Sequence, residues 1–145
     1  MNYPENIEEI KKFAKDHGID VKYLLGEKWE GYLRLPFVES LPNNIVFNVG
    51  KNLSLRSVKS LSNNIQFNVG GWLDLPRVKS LPANIVFNVG GGLDLSSVKS
   101  LPANIVFNVS GGLDLSSVES LPANIVFNVC WIVRIGGGQK VKILW

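Results

Sequence analysis

The 145-residue chain has no threonine, one cysteine, one histidine and one methionine. A single cysteine, Cys130, excludes an internal disulfide framework and fits a reducing compartment. A single histidine, His17, leaves little from which to assemble a nucleophile-base pair, and it precedes Gly18, where it suits a helix C-terminal dipole. Phosphate loops and metal-ligand spacings are absent as well. Without threonine the chain cannot build the outward threonine ladders with which flat β-solenoids bind ice. No apolar run approaches the roughly 18 residues of a membrane span, and the opening MNYPENIEEIKK lacks a signal-peptide core. The expectation is a soluble protein of a bacterial cytoplasm, with no membrane partner, no cofactor and no catalytic or metal site.

What the chain does have is a period. Leu41, Leu61, Leu81, Leu101 and Leu121 recur every 20 residues, as do Phe47, Phe67, Phe87, Phe107 and Phe127. Residues 81–100 and 101–120 differ at two places, Gly90/Ser110 and Lys99/Glu119. Within one coil, Ile85, Phe87 and Val89 alternate with Val86 and Asn88, and Leu93 and Leu95 flank Asp94, as in half-buried strands. Glycines 90–92 and the Pro82/Asn84 pair mark corners, with Asn84 suited to a left-handed backbone and Asn88 to an outward amide ladder. Val98 and Leu101 supply a third inward pair. The pattern predicts a mainly β protein, a parallel β-helix (β-solenoid) of about six triangular coils over residues 31–145. One coil cannot close a core, whereas a stack buries each Leu, Ile, Phe and Val against its copies.

Residues 1–30 read as a helical N-terminal cap: a helix over 4–17 with an Ile7, Ile10, Phe13/Ala14 face, ended by Gly18, then a short helix over 20–25 between Asp20 and Gly26. A lid is needed because an open stack exposes strand edges. At the other end Val141, Ile143, Leu144 and Trp145 suit either a capping strand or an apolar surface for a second copy. The outward column Val46, Val86, Val106 and Val126, broken by Gln66, is a further candidate homodimer face.

Two stretches carry resemblances. L-D-L-S-S-V-K-S-L-P, with its copies over 31–135, resembles the bacterial and bacteriophage type of short leucine-rich-like repeat, whose units carry an LDL strand followed by SLP. That resemblance implies a leucine-rich-repeat arc as the alternative fold. It also implies a phage-type protein, such as an inhibitor that occludes a host defence nuclease in the manner of an anti-CRISPR. A14-K-D-H-G18-I19 followed by Y23-L24-L25 resembles the core of a helix-turn-helix, which implies nucleic-acid binding.

Charge is unevenly placed: residues 1–30 hold five Lys against seven Asp/Glu, and residues 31–145 hold ten Lys/Arg against five. Asp74, Asp94 and Asp114 form a carboxylate column that reads as a solvated edge, its repulsion eased by water and by Arg34 and Arg134; calcium binding or acid/base chemistry is the sharper alternative. Cys130 continues a glycine column and reads as a buried structural thiol. The plain coils 81–120 serve as an internal control for the rest. Where they carry Gly, Asp and Ser, earlier coils carry Tyr32, Arg34, Phe37, Asn52, Arg56, Trp72 and Arg77. Aromatic residues with arginine are the composition of binding hot spots. A column of Lys59, Lys79 and Lys99 runs alongside, flanked by Glu39 and Glu119. These residues are the candidate partner-binding set, unless Tyr32 and Phe37 pack under the lid. A protein is the first-choice partner, with nucleic acid or a structural assembly role as alternatives.

Overall fold

A computed structural model describes residues 3–122, 124–130, 132–136 and 140–142. The alternating I-x-F-x-V segments form β2 (Val46–Val49), β4 (Gln66–Val69), β6 (Val86–Val89), β8 (Val106–Val109) and β10 (Val126–Val129). The L-x-L segments form β1 (Leu33–Arg34), β3 (Leu53–Ser54), β5 (Leu73–Asp74), β7 (Leu93–Asp94) and β9 (Leu113–Leu115), followed by β11 (Ile132–Ile135). Each set stacks in order as a parallel sheet, and every residue pairs with the one 20 positions on: Phe67 with Phe87, Leu73 with Leu93. The fold is therefore a parallel β-helix of about five turns with an N-terminal helix. A leucine-rich arc does not form, because a second parallel sheet closes each coil.

The third side differs from the expected triangle of strands. Residues between Leu35 and Ile45, and their counterparts in later coils, run as turns and irregular backbone. Val38, Val58, Val78, Val98 and Val118 point into the core there, but Leu61, Leu81 and Leu101 are only half-buried. Pro42, Pro82 and Pro102 have no N–H to give to a ladder, which explains why no sheet forms on that side. Few backbone bonds join coils here, among them Lys59 N–H to the Glu39 carbonyl and Lys99 N–H to the Lys79 carbonyl.

Phenylalanine forms the axis of the core. The rings of Phe47, Phe67, Phe87, Phe107 and Phe127 are stacked 5.6–5.7 Å apart, with planes 7–10° from parallel. The small angle shows that each coil repeats the ring orientation of the coil before it. The corner reading holds at every turn: Asn44, Asn64, Asn84, Asn104 and Asn124 have φ between 59° and 68°. Asparagine tolerates that region better than other side-chain-bearing residues because its amide bonds locally. The ladder also forms, with the amides of Asn88, Asn108 and Asn128 each donating to the Asn oxygen one coil below, at 2.7–3.2 Å.

The two ends are closed differently. Helix α1 spans Ile7–Asp16, later than the sequence pattern placed its start; Asn6 occupies the N-cap position, while Pro4 lies in the preceding turn and accepts from Ile7 N–H. Asn6 fixes the lid to the first corner, donating to the Asn43 carbonyl at 2.9 Å and accepting from the Asn44 amide at 3.0 Å. Ile10 and Ala14 face the core, and Gly18 at φ +66° ends the helix. Residues Val21–Leu24 form a single 3-10 turn capped by Asp20, with Leu24 fully buried. No recognition helix stands where a helix-turn-helix would need one. Leu25 and Trp29 then pair in parallel with Val46 and Val49, so the stack begins on the lid itself. At the far end β12 (Lys140–Lys142) turns back antiparallel to β11 and covers that edge. Ile143, Leu144 and Trp145 lie outside the described residues.

Candidate partner-binding face

The outer surface of the L-x-L sheet is built from columns that the strand register fixes. Tyr32, Asn52, Trp72, Gly92 and Gly112 lie in one; Arg34, Ser54, Asp74, Asp94, Asp114 and Arg134 lie in the next. Leucines on either side of the second column point inward, so these side chains face out. The chain then turns a corner through Pro36–Phe37 and its equivalents, where Arg56, Phe37 and Arg77 sit. Residues two coils apart in one column are about 10 Å apart. Tyr32 and Trp72 thus stand about 10 Å from each other, as do Phe37 and Arg77.

None of the three aromatics packs under the lid: Tyr32 is 61% exposed, Phe37 88% and Trp72 58%. Tyr32 has the Lys51 ammonium 5.4 Å above its ring. Trp72 is held at its backbone by the Asn52 side chain, which accepts from Trp72 N–H at 2.8 Å. Its indole leans over the next coil, and a Cβ on Gly92 would come within 2.6 Å of the ring. Glycine at 92 therefore lets the indole lie flat on the sheet, and Gly92 is buried as a result.

The leaning indole creates a hollow that sequence reasoning missed. A cavity of about 290 Å³ is lined by Trp72, Asp94, Gly112, Leu113, Asp114 and Arg134, among others. Gly92 and Gly112 in the tryptophan's column were the available signal, because they leave its ring room to fall and open space beyond it. The carboxylate column is also less solvated than expected. Asp74 is half-buried, and burial first, then the neighbouring Asp94 charge, raises its pKa above the ordinary 3.8; Arg56 opposes the shift. Relief thus comes to Asp74 from Arg56 at the corner, rather than from Arg34 or Arg134 along the column. Asp94 and Asp114 each accept from a backbone N–H two residues on, at Ser96 and Ser116.

The lysine column is placed apart, on the irregular third side. Lys59 is bound to Glu39 at 2.7 Å, and that bond, reinforced by the charges of Lys59 and Arg77, holds the Glu39 carboxyl below its ordinary range. Lys79 and Lys99 are exposed and make no ion pair within the described residues. Structure thus brings Tyr32, Arg34 and Trp72 onto one face with Phe37, Arg56 and Arg77 at its corner, and leaves the lysines around that corner. Cys130 is exposed, not buried: it extends the outward column of Gly50, Gly70, Gly90 and Ser110. Among the described residues, no group of three or more His, Cys, Asp or Glu side chains converges as a metal site, and no helix is long and apolar enough to cross a membrane. No protein family, curated protein or solved structure matches this chain.

Proposed function

We propose that the protein is a non-enzymatic, rigid scaffold that binds a protein partner through Tyr32, Arg34, Phe37, Arg56, Trp72 and Arg77. One observation carries this reading: three large aromatics stand more than half exposed in coils 1–3, at positions where the plain coils have glycine or serine. Exposing them costs free energy that a folded monomer gains nothing from, and a partner that covers them recovers it. Arginines between aromatics supply planar, bidentate contacts to carboxylates on the opposing surface. A protein suits the face better than a nucleic acid, because Asp74, Asp94 and Asp114 share the sheet and would repel phosphates. In a phage-type setting such a surface serves to occlude a host factor, such as a defence nuclease.

The test replaces Trp72 with Gly, and Arg56 and Arg77 with Ser, the residues of the plain coil. Circular dichroism establishes that the variant is folded, and capture from a bacterial host lysate is compared with the unaltered chain by mass spectrometry. Loss of a captured protein with folding intact supports the reading. Unchanged capture refutes it, and retention on DNA that weakens steeply with salt would favour the lysine column and a nucleic acid instead.

A further inference from the structure

The opposite sheet carries a surface of a different kind. Residues 43–50, 63–70, 83–90, 103–110 and 123–130 contain no Asp, Glu, Lys, Arg or His, although the chain holds 27 Asp, Glu, Lys and Arg residues elsewhere. Their outward columns are Val46, Gln66, Val86, Val106 and Val126, and beside them the asparagine ladder. Val86 and Val126 are 40% and 43% exposed. A trough of about 550 Å³ runs beside the ladder along all five coils, with Lys28 of the lid segment among its lining residues, and gives opposing side chains room to interdigitate. The phenylalanine stack beneath repeats from coil to coil with nearly parallel rings, so the outward columns rest on a regular core. Exposed sheet surface is ordinarily protected from association by charge, and here the strand segments themselves carry none in any of the five coils, Lys28 of the lid being a charge beside them.

We infer that this face pairs with the same face of a second copy, about a two-fold axis through Val86 that runs along the strands. An uncharged face favours its own copy because self-pairing brings no like charges together and strands no ion. The choice of axis follows from the amides. With the stacks antiparallel, Val86 meets Val86 and Asn88 meets Asn88, while Val46 meets Val126 and Asn68 meets Asn108 of the second copy. Each amide then has an amide to bond across the interface. With the axis along the stack midway between the columns, valines would cover asparagines and leave buried amide groups unpartnered. With it through the asparagine column, each valine would lie over the Gly50, Gly70, Gly90, Ser110 and Cys130 column and find no apolar partner. Five strands about 4.8 Å apart and about seven residues wide bury about 500 Å² per copy, or about 1,000 Å² in all, the lower limit for a specific interface. An interface of that size lies at the small, reversible end of specific ones.

Sedimentation equilibrium over a thousandfold range of protein concentration reads the association directly. The expected result is a monomer–dimer equilibrium that Val86→Arg weakens by about 100-fold or more, through like charges facing at the axis. Trp72→Gly, on the other sheet, leaves it unchanged. Geometry is read in a Cys130→Ser background with a bismaleimide of about 10 Å reach, matching the spacing of packed sheets. Val86→Cys should cross-link to itself. Val46→Cys should not, but should cross-link when mixed with Val126→Cys. A monomer throughout, a dimer indifferent to Val86→Arg, or self-cross-linking of Val46→Cys would each overturn the assignment.

Discussion

Replacing Phe87 by alanine removes the middle ring of the stack, which is fully buried and has rings 5.6 Å away on both sides. Phenylalanine-to-alanine changes in cores cost about 3–5 kcal/mol, and a ring with two stacked partners belongs at the top of that range. Phe127, at the last rung, is only half-buried and stacks on Phe107 alone among the described residues. Half the burial and one ring contact put its replacement at about 2 kcal/mol. A chain of this length has about 7–15 kcal/mol of total stability, so both variants fold and can be compared. Urea unfolding followed by far-UV circular dichroism measures the two losses. Because each coil touches only its neighbours, Phe87→Ala should also split the transition, the coils on either side unfolding separately. Equal losses for the two variants, or a loss below about 1 kcal/mol for Phe87→Ala, would refute the stacked-core account.

Three further outcomes follow from particular contacts. Asp74 has a raised pKa in the folded chain, so its charge opposes folding once pH exceeds the ordinary 3.8, and fully so above the folded value. Asp74→Asn should therefore raise the melting temperature at pH 7, with the gain vanishing as pH falls below about 3.8, where both states are protonated. Gly92→Ala places a Cβ 2.6 Å from the Trp72 ring, so the indole should swing off the sheet. Its indole N–H resonance, assigned by comparison with Trp72→Phe, should shift while the overall fold persists. Asn104, at φ 63°, should lose about 1 kcal/mol on replacement by alanine and much less on replacement by glycine, by thermal melts of the two variants.

The repeat made most of the fold legible. A period of 20 residues with period-2 alternation inside it admits few structures, and Asn84 and Asn88 declared their roles by recurring at fixed offsets. Legibility ended where a feature depends on two coils at once. The hollow beside Trp72 needs the indole of one coil and the glycine of the next, a relation that no single repeat displays. Phe37 could have gone under the lid as far as its sequence shows; its position at the corner after β1 sends it to solvent. The third side is not a strand, although Val98 and Leu101 make an apolar pair, because the proline that follows the leucine cannot donate to a ladder. Cys130 departs from its expected burial as well. Its column consists of small residues that face outward, and smallness in a sequence column does not distinguish a crowded interior from an open surface.

Central to the account is a proposed division of labour: plain coils hold the stack together, and coils 1–3 carry the partner face. Excising residues 101–120 separates the two, since Ser100 then joins Leu121 in register and both ends keep their caps. The measurement is partner capture by this shortened chain, alongside its circular dichroism. The expected result is a folded, less stable solenoid that captures the same protein as the full chain. A folded but capture-deficient chain would place the binding surface in the plain coils, and would contradict the account.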